Sequence, residues 1–363
     1  LEFRRVLFRS SFGYRSRNNS FWGDTLAERL RISTIGVTSN SGADWFPRAG
    51  LHPMVPAIRQ VSRRFRTVIV YGGSMGGYAA LKYGNLLEAD HAIAFSPQYT
   101  LDPEVEQEKI YNRHFRPELH AGMQIATPDV CRNATVFYDT RHRADTQRVG
   151  LIRKQAPWIT EIALPNTGHS CVQVFAGTAN MKALFDSAIA ADTAAIRRTA
   201  RALRVKSVLR YVTTATAAIP RDPDLARRIS AKSPVPIPEV LAAELDFKLA
   251  VHHVKARNLA AAHEAAMSAV SLQPQKSHHH RLIGQVHFLR KDWTAALQAY
   301  DEALKADPRD ILALVAKANI YNHTGDRENV VGHLSAAADI DAAHPALKTA
   351  RDRIKAAWRR IDA

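Results

Sequence analysis

The sequence predicts an α/β domain built on a mostly parallel sheet, followed by an all-α repeat domain. Three observations carry this. From Arg31 to about Ala190, short β-rich runs alternate with stretches of helical spacing, the pattern of a parallel sheet covered on both faces. From Ala191 alanine rises and glycine is absent until Gly284. From Leu241 to the end, similar helical segments recur at a period of 34 residues.

The strands come first. RISTIGV (31–37), TVIVYG (67–72), HAIAF (91–95), ATVFY (134–138) and ITEIAL (159–164) are short, β-rich and followed by turn or polar residues. Between the first two lies Val55 to Arg64, with apolar residues at helical spacing; between the second and third lies GYAALKYGNLLEA (77–89), a second helix. At the front, Leu1–Ser10 (LEFRRVLFRS) resembles translated adaptor sequence, so native sequence is expected to begin near Ser11, on an N-terminally truncated fragment. The α/β domain is therefore assigned to 11–190. Residues 191–240 hold five prolines between Ile219 and Val240, and 10 basic against 4 acidic residues, so they are expected to be a basic linker.

In 241–363 the segments 243–276, 277–310 and 311–344 align. Ala269, Ala303 and Ala337 fall in step, as do Ala262 and Ala296, Pro274 and Pro308, and the small residues Ala250, Gly284 and Ala318. Tyr300 and Leu334 share a large-residue position, where the first repeat has Ala266. The pattern resembles tetratricopeptide repeats, pairs of antiparallel helices in which small residues admit close approach and large ones fill the gaps. Residues 345–363 are expected to form the capping helix that such arrays need. The resemblance implies a protein partner.

Composition excludes several classes. Of 363 residues, 46% are hydrophobic and 23% charged, which argues against global disorder. No apolar run reaches the length of a membrane span. The two cysteines, Cys131 and Cys171, are too few for a disulfide scaffold or a four-cysteine zinc site. The net charge of +16 by itself suggests nucleic acid. However, the excess is densest in the linker and no aromatic-interleaved recognition motif accompanies it, so nucleic acid is not the expected partner. A cytoplasmic location is expected.

One motif carries chemistry. Gly72-Gly73-Ser74-Met75-Gly76 follows a strand and opens a helix, the context a G-x-S-x-G turn requires. A strained turn there exposes the serine Oγ at the carboxyl edge of the sheet. It also aims the Met75 N–H at the position where an oxyanion forms. Serine needs a base, and His169, in the loop NTGHS after the last strand, is the candidate. The acid that orients the histidine must follow the strand ATVFY, where Asp139 ends the strand and Asp145 lies six residues on. Asp145 has the reach, and Asp139 is better suited to bracing the loop.

These residues, with the run YGGSMGGYAAL and the later FSPQ, resemble the α/β-hydrolase superfamily, a bacterial branch of serine hydrolases, over roughly 21–186. The resemblance implies a Ser74–His169–Asp145 triad with Met75 as one oxyanion donor. The family usually carries more strands before the nucleophile, one of whose loops supplies the second donor, which is left unassigned here.

Gln98 follows a strand at the same sheet edge and is a candidate substrate contact. Trp45 and Phe46 are candidates for the pocket wall or for the core. The insertion 99–130, with Tyr99, Tyr111, His114 and Phe115, is a candidate lid, and Arg141 and Arg143 are candidates for meeting an acidic substrate. His278, His279 and His280 are consecutive and point to different helix faces, so no metal is expected. No phosphate loop or dinucleotide fingerprint follows any strand, and no cofactor is expected. The expected function is carboxylic-ester hydrolysis with repeat-mediated partner binding. The alternative is an interaction scaffold with a degenerate hydrolase domain.

Overall fold

The computed structural model describes residues 3–8, 24–38, 44–106, 109–112 and 114–361. The chain divides between Thr213 and Thr214 into two compact units.

The first unit is built on six parallel strands in the order β2-β1-β3-β4-β5-β6. They are β1 (Phe3–Phe8), β2 (Ser33–Val37), β3 (Thr67–Gly73), β4 (His91–Phe95), β5 (Asn133–Tyr138) and β6 (Thr160–Ala163). The five expected strands are present. The sixth corrects the assignment that began the domain at residue 11. Phe3–Phe8 pairs with β2 through Arg4↔Ser33 to Phe8↔Val37, and with β3 through Phe3↔Thr67 to Leu7↔Tyr71. Residues 9–23, where native sequence was expected to start, lie outside the described residues.

Successive side chains of a strand point to opposite faces, and this sheet buries both. Val68, Val70, Ala92, Ala94 and Val136 pack into one core; Ile69, Tyr71, Ile93, Phe95 and Phe137 pack into the other. The helices of the unit are α1 (Asp24–Leu30), α2 (Arg48–Leu51), α3 (Val55–Ser62), α4 (Met75–Lys82), α5 (Lys109–Asn112), α6 (Pro117–His120), α7 (Arg143–Gln155), α8 (Thr178–Ile189) and α9 (Thr193–Lys206). Those of α3, α4 and α7 cover the first face, through Val55, Ile58, Leu81, Val149 and Ile152. The second face is covered by α8 and α9, through Met181, Leu184, Phe185, Ile196 and Ala200. Fully buried Ile69, Val70, Ile93 and Phe137 each contribute about 1.5–3 kcal/mol.

The expected linker is largely helical. It holds α9, α10 (Val208–Ala218, within which the division falls) and α11 (Pro223–Ala231). The prolines mark helix ends instead of an open tether. Pro223 opens α11, where a missing N–H costs nothing, and Asp222 caps it by accepting the Leu225 N–H at 2.8 Å. Pro238 directly precedes α12.

The second unit is a solenoid of paired helices. Its paired helices are α12 (Glu239–Lys255) with α13 (Leu259–Leu272), α14 (Ser277–Leu289) with α15 (Trp293–Ala306), and α16 (Ile311–Thr324) with α17 (Arg327–Asp341); α18 (Pro345–Ile361) follows. The turn inside each pair repeats at the same period as the sequence. Arg257, Lys291 and Gly325 take the left-handed backbone at φ 59°, 63° and 81°. The next residue, Asn258, Asp292 or Asp326, caps the second helix by accepting the N–H three residues on. Packing explains the large-small alternation. A Cβ on Gly284 would stand 2.6 Å from Cε1 of Tyr300, so the ring sits where another side chain would begin. The neighbouring repeats carry Ala250 with Ala266, and Ala318 with Leu334, at the same two positions.

Candidate active site

The site forms where the carboxyl ends of β3, β5 and β6 meet. Ser74 links β3 to α4 with φ 53° and ψ −116°, a backbone conformation that costs a non-glycine residue about 1–3 kcal/mol. The surroundings over-determine it. The Ser74 N–H donates to the Phe95 carbonyl at 2.8 Å, and the Tyr78 N–H donates to the Ser74 carbonyl at 2.9 Å. A Cβ on Gly77 would lie 3.1 Å from the Phe95 carbonyl oxygen, 3.2 Å from that of Gly72 and 3.3 Å from Pro97 Cα. Glycine there lets α4 run close past β4. Met75 is the first residue of α4, so its N–H is not used by the helix ladder.

Asp139 sets the histidine loop. It is buried, and its carboxylate accepts the N–H groups of Arg141 (2.7 Å), Asn166 (2.9 Å), Thr167 (2.9 Å) and Gly168 (2.7 Å). Asn166 and Gly168 hold positive φ, so the loop turns tightly around that carboxylate and delivers the next residue, His169, to the sheet edge. His169 Nε2 stands 2.9 Å from Ser74 Oγ, and its Nδ1 stands 2.8 Å from Asp145 Oδ1. With Nδ1–H donating to the carboxylate, Nε2 is left to accept from the serine hydroxyl. Asp145 lies in the first turn of α7 and is fully buried. Burial alone would raise its carboxyl pKa, but hydrogen bonds with His142 and His169 outweigh it and hold the group well below the usual carboxylate range. Asp145, rather than Asp139, is the aspartate that faces the histidine.

Three neighbours of Asp145 were not singled out from sequence. Arg148, almost wholly buried, brings Nη1 to 3.4 Å from Asp145 Oδ1 and pairs through Nε with Glu106. Its spacing of three residues from Asp145 on one helix was the available signal. Glu106, on the excursion after β4, offered none. His142 caps α7, with Nδ1 at 3.3 Å from the Asp145 nitrogen and 3.2 Å from its Oδ1.

Ser74 and His169 open on a cavity of about 550 Å³, lined among others by Leu26, Phe95, Val172, Phe175 and Met181, with Arg29 beside them. Gln98 is not part of that lining. It is fully buried, and neither amide atom has a hydrogen-bond partner among the described residues; the direct contact expected of it is corrected, since a side chain with no exposure cannot meet substrate. Trp45 and Phe46 are core residues, buried with Tyr78 and Tyr83. The expected lid is packed down instead. Tyr99, Leu101, Met123 and Ile125 are buried in the same core, with Tyr111 and Phe115 against it. Neither Arg141 nor Arg143 lines the cavity. Cys171 is buried, its Sγ 3.2 Å from Ser96 Oγ, and burial pushes its thiol up to about 12. Cys131 is likewise buried. Of the three consecutive histidines, His279 is buried, His280 bonds the Pro274 carbonyl, and His278 packs on Phe247. They do not converge.

Comparison with known proteins finds similarity in the second unit. The tetratricopeptide repeat model matches residues 247–311. Among solved structures, the chain is similar to YrrB, a TPR protein with an unusual peptide-binding site (15% identity, 50% of this chain and 92% of that one, TM-score 0.35), to MamA (19%, 45% and 91%, 0.34) and to pilF of Pseudomonas aeruginosa (12%, 49% and 81%, 0.36). A curated cyanate hydratase of Coprinopsis cinerea is 35% identical over 60 residues, which make up 16% of this chain and 40% of that protein. The chain thus spans about two fifths of the length of that relative. Among the described residues, no helix is long and apolar enough to cross a membrane.

Proposed function

We propose that the first unit is a serine hydrolase acting on carboxylic esters, of α/β-hydrolase type, and that the repeats hold a protein partner. The observation that carries the hydrolase reading is the hydrogen-bonded chain Ser74–His169–Asp145 at the mouth of a cavity. Its supports are a strained serine turn between strand and helix, a buried ionised carboxylate and an accessible imidazole.

The chemistry follows from these positions. Ser74 Oγ attacks the ester carbonyl carbon while His169 Nε2 takes the hydroxyl proton. The carbonyl π pair moves onto oxygen, and the oxyanion meets the Met75 N–H. Collapse of the tetrahedral species expels the alkoxide, which takes the proton from His169 and leaves as the alcohol. Water then adds to the acyl-enzyme with His169 again as base, releasing the acid and restoring Ser74. Asp145 stabilises the imidazolium and fixes the ring. No second oxyanion donor is assigned among the described residues. The apolar lining suits an acyl chain.

A second reading is an interaction scaffold in which the sheet unit is catalytically silent. The tetratricopeptide match supports partner binding directly, and the comparisons favour this half of the molecule over the hydrolytic one. Labelling of the full chain with a fluorophosphonate probe separates the readings. Hydrolysis predicts labelling that is lost in Ser74→Ala and strongly slowed in His169→Ala. A folded wild type that stays unlabelled would overturn it in favour of the scaffold.

A further inference from the structure

Asp145 Oδ1 is shared between two imidazoles. His169 Nδ1 lies 2.8 Å from it and His142 Nδ1 lies 3.2 Å from it. The three donor atoms fall within 4.8 Å of one another. The other carboxylate oxygen, Oδ2, is buried and has no hydrogen-bond partner among the described residues. His142 Nδ1 faces the Asp145 N–H. In the tautomer that carries its proton on Nε2, the His142 ring turns the Nδ1 lone pair toward the cluster. The His142 side chain is 38% exposed, which leaves a way in from solvent.

We infer that His142, Asp145 and His169 form an inhibitory site for a zinc-class divalent cation. Two imidazoles and one carboxylate with a solvent position make a borderline-soft, four-coordinate donor set, which suits zinc and not magnesium or calcium. Tetrahedral zinc with bonds near ~2.0–2.1 Å keeps its ligand atoms about 3.3 Å apart. The two nitrogen-to-Oδ1 separations would have to open by tenths of an ångström, and the two imidazole nitrogens lie within 4.8 Å of each other. The charges permit it. The carboxylates of Asp145 and Glu106 together outweigh the one guanidinium of Arg148, which pairs with both.

The consequence for catalysis rests on the hydrolase reading. A metal on His169 Nδ1 displaces the proton that Asp145 holds there. The ring proton then resides on Nε2, which donates toward Ser74 and can no longer take the serine proton. Zinc would thus silence the base without touching the nucleophile.

The test is calorimetric titration of the full chain with zinc chloride, which needs no turnover. The expected result is a site whose affinity falls about tenfold or more in His142→Asn and persists in Ser74→Ala. Asparagine keeps an N-cap acceptor for α7, so circular dichroism should remain that of wild type. Zinc is also expected to slow fluorophosphonate labelling, with recovery on adding EDTA and no effect of magnesium at the same concentration. Equal zinc affinity in wild type and His142→Asn would place the ion elsewhere and overturn the site, as would absence of binding. Zinc binding that depends on His142 in a protein that never labels would uphold the site and sink the hydrolase reading alone.

Discussion

The two units solve the same packing problem with different materials. The sheet unit buries charge. Asp139, Asp145, Arg148 and Lys82 are all nearly inaccessible, and its non-glycine residues with positive φ include Ser74, Ser96 and Asn166. The repeat unit buries small apolar side chains, Ala250, Ala262, Ala266, Ala296, Ala303 and Ala337 among them. Its positive-φ residues, Arg257 and Lys291, sit at equivalent turns of successive repeats. Irregularity in the repeats is periodic and therefore architectural. In the sheet unit it follows no period: Ser74, Ser96 and Asn166 are at the functional edge, while Arg31, Trp45, Phe46, Glu88 and Ala191 are spread along the chain. Strain and buried charge persist only where the surroundings hold them, and at the functional edge the two occur together.

The largest expected effect tests what the functional edge is for. On the proposed hydrolase reading, Ser74→Ala should lower kcat on a chromogenic ester by on the order of 10⁶-fold, while any partner capture by the repeats stays at the wild-type level. A partner affinity that falls with it would break the division of labour. Next is Asp139→Ala, which strands four N–H groups around a buried position. We expect a loss of about 2–5 kcal/mol in urea unfolding, together with slower labelling of Ser74 as the His169 loop loosens. A loss below ~0.5 kcal/mol would show that the loop does not depend on the carboxylate.

In the repeats the counterpart is steric. Gly284→Ala places a methyl inside the Tyr300 ring and should cost about 1–3 kcal/mol, with faster hydrogen exchange confined to α14 and α15. Adding Tyr300→Leu should recover most of it, since the pair then matches Ala318 and Leu334 of the next repeat. A double variant no better than the single would contradict the size-complementarity account. The smallest effect is electrostatic. Burial, with a hydrogen bond to the Glu161 carboxylate at 2.8 Å, pushes the Tyr138 hydroxyl up to about 12. Folding therefore holds its proton more tightly than the unfolded chain does. That contribution is complete below the ordinary tyrosine pKa near 10 and is lost as pH rises through about 12. Tyr138→Phe should flatten the alkaline fall in stability, read from unfolding midpoints between pH 9 and 11.

Much of this was legible in sequence because the signals are local. Five strands declared themselves by β-rich runs, and Gly72–Gly76 by its place between strand and helix. The repeats declared themselves by their period. What was missed depends on distant partners. β1 carries three arginines, Arg4, Arg5 and Arg9, in or beside it, and does not read as a central strand from composition alone. Gln98 sits at the right sheet edge, but a strand's end does not reveal which way the next side chains turn. The linker's prolines look like tether residues until Asp222 and the helix starts are seen around them. Glu106 reaches Arg148 across 42 residues of chain, a separation at which no spacing rule operates.

The backbone at Ser74 has one further consequence. Its φ of 53° and ψ of −116° suit glycine better than any residue with a side chain. Ser74→Gly would relax the turn and, on the proposed hydrolase reading, leave a sturdier protein without a nucleophile. On that reading stability and reactivity select different residues at this position, and an inactive descendant of this chain would have an easy, stabilising route to glycine.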